Sequence, residues 1–137
     1  MLEKEFRTGD GKRVNYAEMV AIIANYIKQN PDADYEITVG TDSQNHDKTK
    51  MVEVIAVCRV GNGGIFFYRV EFMDKIMDLR QKIYEETSRS LENAHGLLDE
   101  IYLQIVESDE DFDLDKLNIH FVVHCDIGRS RKSKTRD

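Results

Sequence analysis

The chain is short of the residues and patterns that would divert it from a packed core. Its 137 residues include a single proline, and with 41% hydrophobic and 33% charged residues the composition argues against disorder. Cysteine is scarce too. Cys58 and Cys125 each lie in an apolar run that reads as a strand, where a thiol is expected to be buried as a small hydrophobe. Neither has the ligand spacing of a zinc site, and no disulfide or thiol chemistry is expected. The longest uncharged apolar stretch is far too short to cross a bilayer, and the opening MLEKEFRTGDGKR has no apolar leader, so a soluble cytoplasmic protein is the expectation. Basic excess is missing as well. A net charge of −7 argues against a surface that coats nucleic acid nonspecifically. Glycine-rich phosphate loops are absent, because the turn at residues 61–64 is not followed by Lys and Ser or Thr. With no repeat and no linker composition, one domain over residues 1–137 is expected.

The charge that is present is uneven. Residues 107–115 (ESDEDFDLD) form an acidic run read as a solvated loop, whereas Arg129, Arg131, Lys132, Lys134 and Arg136 make the last nine residues basic. That basic end invites a phosphate-binding reading, with ordinary solvated side chains as the alternative.

Hydrophobic spacing organises the rest. Residues 15–30 carry Tyr16, Met19, Val20, Ile23 and Ile27 at helical intervals, with Asn15 as N-cap, Glu18 completing a capping box and Pro31 as the stop. Residues 35–42 alternate, setting Tyr35, Ile37, Val39 and Thr41 on one face. Residues 51–60 form a nearly continuous apolar run of the central-strand kind, and residues 61–64 (GNGG) signal a hairpin into the aromatic strand 65–72. A long helix from about 74 to 106, broken near Gly96, is expected to bury Ile76, Leu79, Ile83, Leu91, Ala94, Leu97, Leu98, Ile101 and Ile105. Residues 117–126 read as a fourth strand, joined through a crossover and therefore parallel to a neighbour.

Two of these strands are expected to end in an acid, Asp42 and Asp126. Side by side and parallel, they would bring both carboxylates to the carboxyl edge of the sheet, where open α/β sheets bind ligands. Adjacent carboxylates repel unless a cation lies between them, and a hard, oxygen-ligated cation such as Mg2+ or Mn2+ satisfies both. On the long helix, Glu86 falls near the edge of the sheet-facing side while Glu85 points to solvent. Each acid also has an ordinary reading: Asp42 in an Asx turn, Asp126 as a helix cap, Glu86 paired with Lys82, Arg89 or Ser90.

Three segments, Gly40-Thr41-Asp42-Ser43-Gln44, Ile83-Tyr84-Glu85-Glu86-Thr87 and His124-Cys125-Asp126-Ile127-Gly128, resemble the motifs of the YkuK-type family of ribonuclease H-like nucleases, over about residue 35 to the C-terminus. The resemblance implies an α/β fold with a ribonuclease H-like mixed sheet: a three-strand antiparallel meander, a crossover helix and a parallel fourth strand, here with an extra N-terminal helix. It implies Asp42, Glu86 and Asp126 as catalytic metal ligands for Mg2+ or Mn2+, and nucleic acid (RNA, DNA or a hybrid) as partner. His124 stands two residues before Asp126 and is a candidate for proton transfer, with a buried structural histidine as the alternative. Ser43, Gln44, Arg129, Arg131 and Lys132 are candidates for substrate contact. Family members continue past the Lys-Thr-Arg region and related nucleases carry a fourth acid there; Asp137 is too close to Asp126 to stand for it, so the resemblance implies a truncated C-terminus. The expected function is thus metal-dependent phosphodiester hydrolysis, with a noncatalytic nucleic-acid-binding or scaffolding module as the alternative. Actin-like phosphotransfer would need a second lobe that the chain is too short to hold. No base-reading or aromatic stacking motif in the sequence selects among nucleic acids.

Overall fold

Asn15 and Glu18 start the first helix by exchanging hydrogen bonds. The Asn15 side chain accepts from the Glu18 amide and the Glu18 carboxylate accepts from the Asn15 amide, both at 2.8 Å, which satisfies two donors that would otherwise be orphaned. The helix, α1 (Tyr16–Lys28), buries Tyr16, Met19, Val20, Ile23, Ala24 and Ile27, the stripe its spacing predicts. These features belong to a computed structural model that describes residues 4–125.

A hairpin that the spacing did not predict precedes α1. Strands β1 (Glu5–Thr8) and β2 (Arg13–Asn15) pair antiparallel around a turn at residues 9–12 (GDGK). Phe6, in the middle of β1, is buried in the main core, which is what fixes so short a strand.

The predicted meander follows as β3 (Asp34–Asn45), β4 (Thr49–Arg59) and β5 (Gly64–Met73), and β6 (Asn118–His124) returns parallel to β3. The sheet order is β2-β1-β5-β4-β3-β6. Gly61 and Gly63 supply the positive φ values, 77° and 82°, of the β4–β5 turn. β3 runs three residues past Asp42, because β4 is long enough to pair it as far as Asn45↔Thr49. Asp42 is therefore inside the strand and not at its tip.

Between β5 and β6 the chain forms α2 (Leu79–Ala94) and α3 (Leu97–Ser108), separated at Gly96, whose φ of 73° ends the first helix. In the acidic segment, Asp109 follows the end of α3 and Asp113 caps a 3-10 turn (Leu114–Lys116). Leu97, Ile101 and Ile105 of α3 join the α1 stripe and the inward side chains Tyr35, Ile37, Val39, Ile55, Val57 and Phe67 in one core. The three described helices all lie on this face of the sheet. The opposite face, among the described residues, carries no helix, and Phe66, Val70 and Phe72 of β5 are exposed there. Cys58 is on that uncovered side, opposite Glu36 and Gly64, and both cysteines are free and exposed. The expectation that the thiols are buried is corrected: among the described residues no helix covers the face of β4 on which Cys58 lies, and Cys125 falls just past the end of β6. No described helix is long and apolar enough to cross a membrane.

Candidate metal site at the β3 edge

Successive side chains of a strand alternate between faces, and in β3 that alternation separates neighbours with different chemistry. Thr41 and Ser43 turn inward beneath α2. The Ser90 hydroxyl donates to Thr41 Oγ1 at 2.9 Å, and the Ser43 hydroxyl donates to Glu86 Oε2. Asp42, between them, is exposed on the uncovered face, and Gln44 is exposed on that same side. Ser43 is buried against Glu86 and does not share the face of Asp42.

This contact sets the rotation of α2. Its buried residues are Glu86, Ser90 and Asn93, while Leu79 and Leu91 are about half exposed, at 49% and 54%. The predicted apolar stripe therefore holds in α3 but not in α2. The physical reason is the strand surface below, which offers Thr41, Ser43 and Glu53 in place of aliphatic groups. Glu86 faces the sheet more squarely than its helical phase implies. Glu85, expected in plain solvent, accepts from Arg89 Nε at 3.4 Å.

On the side of Asp42 the sheet holds an open hollow of about 440 Å3, floored by Val52, Val54 and Ala56 and bordered by Thr38, Asp42 and His124. His124 is exposed, which removes the reading of a buried structural histidine. It approaches closely because its register partner is Gly40: a Cβ on Gly40 would stand 3.3 Å from the His124 Cβ. Gly40↔His124 is also the last described pair between β3 and β6. Past it, the β3 edge has Asp42 on one face and Ser43, with Glu86, on the other.

A second charged cluster was not legible in the sequence. Glu53 is fully buried in β4 and accepts from Lys4 Nζ at 3.1 Å, Asn93 Nδ2 at 2.8 Å, Arg69 at 3.0 Å and Arg89 at 2.9 Å. Arg89 also pairs with Glu71. Burial pushes the Glu53 carboxyl up, but the Asn93 hydrogen bond, the Lys4 charge and the Arg89 hydrogen bond outweigh it, and the group is held below its ordinary value. The cluster ties Lys4, just before β1, to β4, β5 and α2. Its one sequence signal is the lone acid within the apolar run of residues 51–60.

Asp126, Arg129, Arg131 and Lys132 lie outside the described residues. Among the described residues no group of three or more His, Cys, Asp and Glu side chains forms a metal-holding set. Asp42 and Glu86 offer hard carboxylate oxygens of the kind that Mg2+ or Mn2+ takes, so the donor chemistry fits such an ion, but the two stand on opposite faces of β3 and the described residues do not gather them into one cluster.

A sequence model of the ribonuclease H-like family matches residues 18–137. The chain is also similar to an uncharacterised protein of Bacillus subtilis (strain 168), YkuK, with 29% identity over 127 residues, covering 91% of this chain and 73% of that one. No solved structure matches it.

Proposed function

The chain belongs to the ribonuclease H-like family, and from that premise we propose that it hydrolyses phosphodiester bonds in nucleic acid, using divalent metal held by Asp42, Glu86 and Asp126. The observation that carries this reading is the shared strand edge. Asp42 borders it from the uncovered face and Glu86, bonded to Ser43, borders it from the helix side. In sequence, Asp126 stands two residues after His124 as Asp42 stands two after Gly40, and Gly40 and His124 are register partners.

In this reading Asp42, Glu86 and Asp126 hold Mg2+ or Mn2+, which when bound supplies Lewis-acid stabilisation of the phosphoryl oxygens and acidifies a water. Ser43 orients Glu86 by donating its hydroxyl to the carboxylate. His124, across the hollow from Asp42, accepts a proton at an imidazole nitrogen. Gln44, on the face of Asp42, and Arg129, Arg131 and Lys132 contact substrate phosphate.

The test is a cleavage assay on labelled single-strand, duplex and hybrid substrates with Mg2+ or Mn2+, with chelator, and with Asp42→Asn. Cleavage that requires metal and is lost in the variant supports the proposal. Cleavage that survives chelation and substitution refutes it. Metal-independent binding without any cleavage would instead establish the noncatalytic nucleic-acid-binding module.

A further inference from the structure

The inward row of β3 changes chemistry at Gly40. Before it stand Tyr35, Ile37 and Val39 in the apolar core; after it come Thr41 and Ser43, both buried, and then Asn45. The helix α2 answers this polar stretch with a polar face. Its buried residues Glu86, Ser90 and Asn93 are four and three residues apart, the spacing of one helix face. Each meets a partner on the sheet. The Ser43 hydroxyl donates to Glu86, the Ser90 hydroxyl donates to Thr41 at 2.9 Å, and Asn93 Nδ2 donates at 2.8 Å to Glu53, the register partner of Thr41. The approach to the helix is held in the same way. Thr49 Oγ1 accepts from the Ile76 amide at 2.8 Å, Asn45 Nδ2 donates to the Ile76 carbonyl at 2.9 Å, and the Thr49 hydroxyl donates to Asn45.

We infer that Thr41 and Ser90 are positioning residues for Glu86: their hydroxyl pair, next along the seam from Ser43, fixes the rotation of α2 and with it the direction of the Glu86 carboxylate. Apolar burial is nondirectional, so a helix held by it alone turns or slides at little cost. A hydrogen bond weakens steeply once misaligned, and a fully satisfied buried network selects one arrangement. Ser90 lies about one turn beyond Glu86 on the same face. A rotation of α2 that breaks the Ser90–Thr41 bond therefore also swings Glu86 away from Ser43. Both hydroxyls act through the helix and not on the reacting atoms. The inference rests on the reading that Glu86 holds divalent metal, and it adds the residues that place that ligand.

Mn2+ binding followed by electron paramagnetic resonance, beside urea unfolding, separates placement from stability. Ser90→Ala and Thr41→Val are each expected to weaken Mn2+ binding about tenfold, the lower end of what losing an outer partner costs. Thr41→Ser keeps the acceptor and wild-type affinity. The double variant, Thr41→Val with Ser90→Ala, carries the test. It replaces both hydroxyls with apolar groups, which restores the stability lost when one buried hydroxyl is left unpaired, yet gives α2 no directional bond there. Its Mn2+ affinity is expected to stay low although its stability recovers. Helix placement is read without metal. Nitroxide labels on the exposed Cys58 of β4 and on Tyr84→Cys of α2, in a Cys125→Ser background with chelator, report the distance between helix and sheet. That distance distribution is expected to be narrow with the hydroxyl pair intact and broadened or displaced in the double variant. Affinity that recovers together with stability in the double variant overturns the inference and leaves the pair a structural contact. An unchanged distance distribution overturns it as well. If the seam variants keep wild-type affinity and distances while Glu86→Gln loses Mn2+, the positioning role fails and the metal site stands. If Glu86→Gln binds Mn2+ no worse than wild type while the double variant still displaces α2, the metal reading at Glu86 fails and the pair still places the helix.

Discussion

Gly40 and His124 are register partners across the parallel β3–β6 pair, and the missing side chain of Gly40 is what lets His124 lie beside Asp42 at the rim of the same hollow. Adding a methyl group at Gly40 forces the two strands apart by a few tenths of an ångström, because the His124 Cβ it meets is fixed by the backbone.

Gly40→Ala is therefore expected to reduce metal-dependent cleavage in a protein that still folds. A misplacement of about 1 Å at a reacting group costs on the order of 100-fold in rate, so a shift of a few tenths of an ångström is expected to cost severalfold, while local overpacking costs about 1–3 kcal/mol. Steady-state kinetics beside a thermal melt check this; unchanged kcat/KM would remove His124 from the mechanism.

Glu53→Gln breaks the cluster that joins Lys4, just before β1, to β4, β5 and α2. Lys4, Arg69 and Arg89 lose their shared buried carboxylate, and removing one partner of a buried pair costs about 3–5 kcal/mol. Because Glu71 and Glu92 remain for Arg89 and Lys4, a loss nearer about 3 kcal/mol is expected. Urea unfolding measures it.

The same cluster makes stability depend on acid. Glu53 and Glu71 are both held below their ordinary value of 4.5, Glu53 by Asn93, Lys4 and Arg89 against the upward push of burial, Glu71 chiefly by Arg89. Above that value both states are ionised and the stabilisation is complete. As pH falls below it the unfolded chain takes up protons that the folded chain refuses, so stability declines until the folded carboxyls are protonated too. The urea midpoint is expected to fall between pH 5 and pH 3, on the order of those carboxylate values, and to fall less steeply in Glu53→Gln.

The features readable in the sequence are those set by local spacing. Asn15 with Glu18 marks the start of α1, and Tyr35, Ile37, Val39 and Thr41 mark the inward face of β3, which already assigns Asp42 to the other side. The rotation of α2 was not readable, because Leu79 and Leu91 suggest one buried face while Thr41, Ser43 and Glu53, distant in sequence, select another. The β1–β2 hairpin depends on burying Phe6 in a core built elsewhere. The aromatic face of β5 was present as a run of residues; its register beside Arg7 and Val54 emerges only from strand pairing.

The central claim is that Asp42, Glu86 and Asp126 together hold a divalent cation. Mn2+ titration followed by electron paramagnetic resonance, on wild type and on Asp42→Asn, Glu86→Gln and Asp126→Asn, tests it without relying on turnover. The account predicts bound Mn2+ in the wild type and affinity weakened by more than about 100-fold in each variant, beyond the roughly 10- to 100-fold that losing an outer partner costs. Wild-type Mn2+ affinity in a folded Asp42→Asn protein would contradict it.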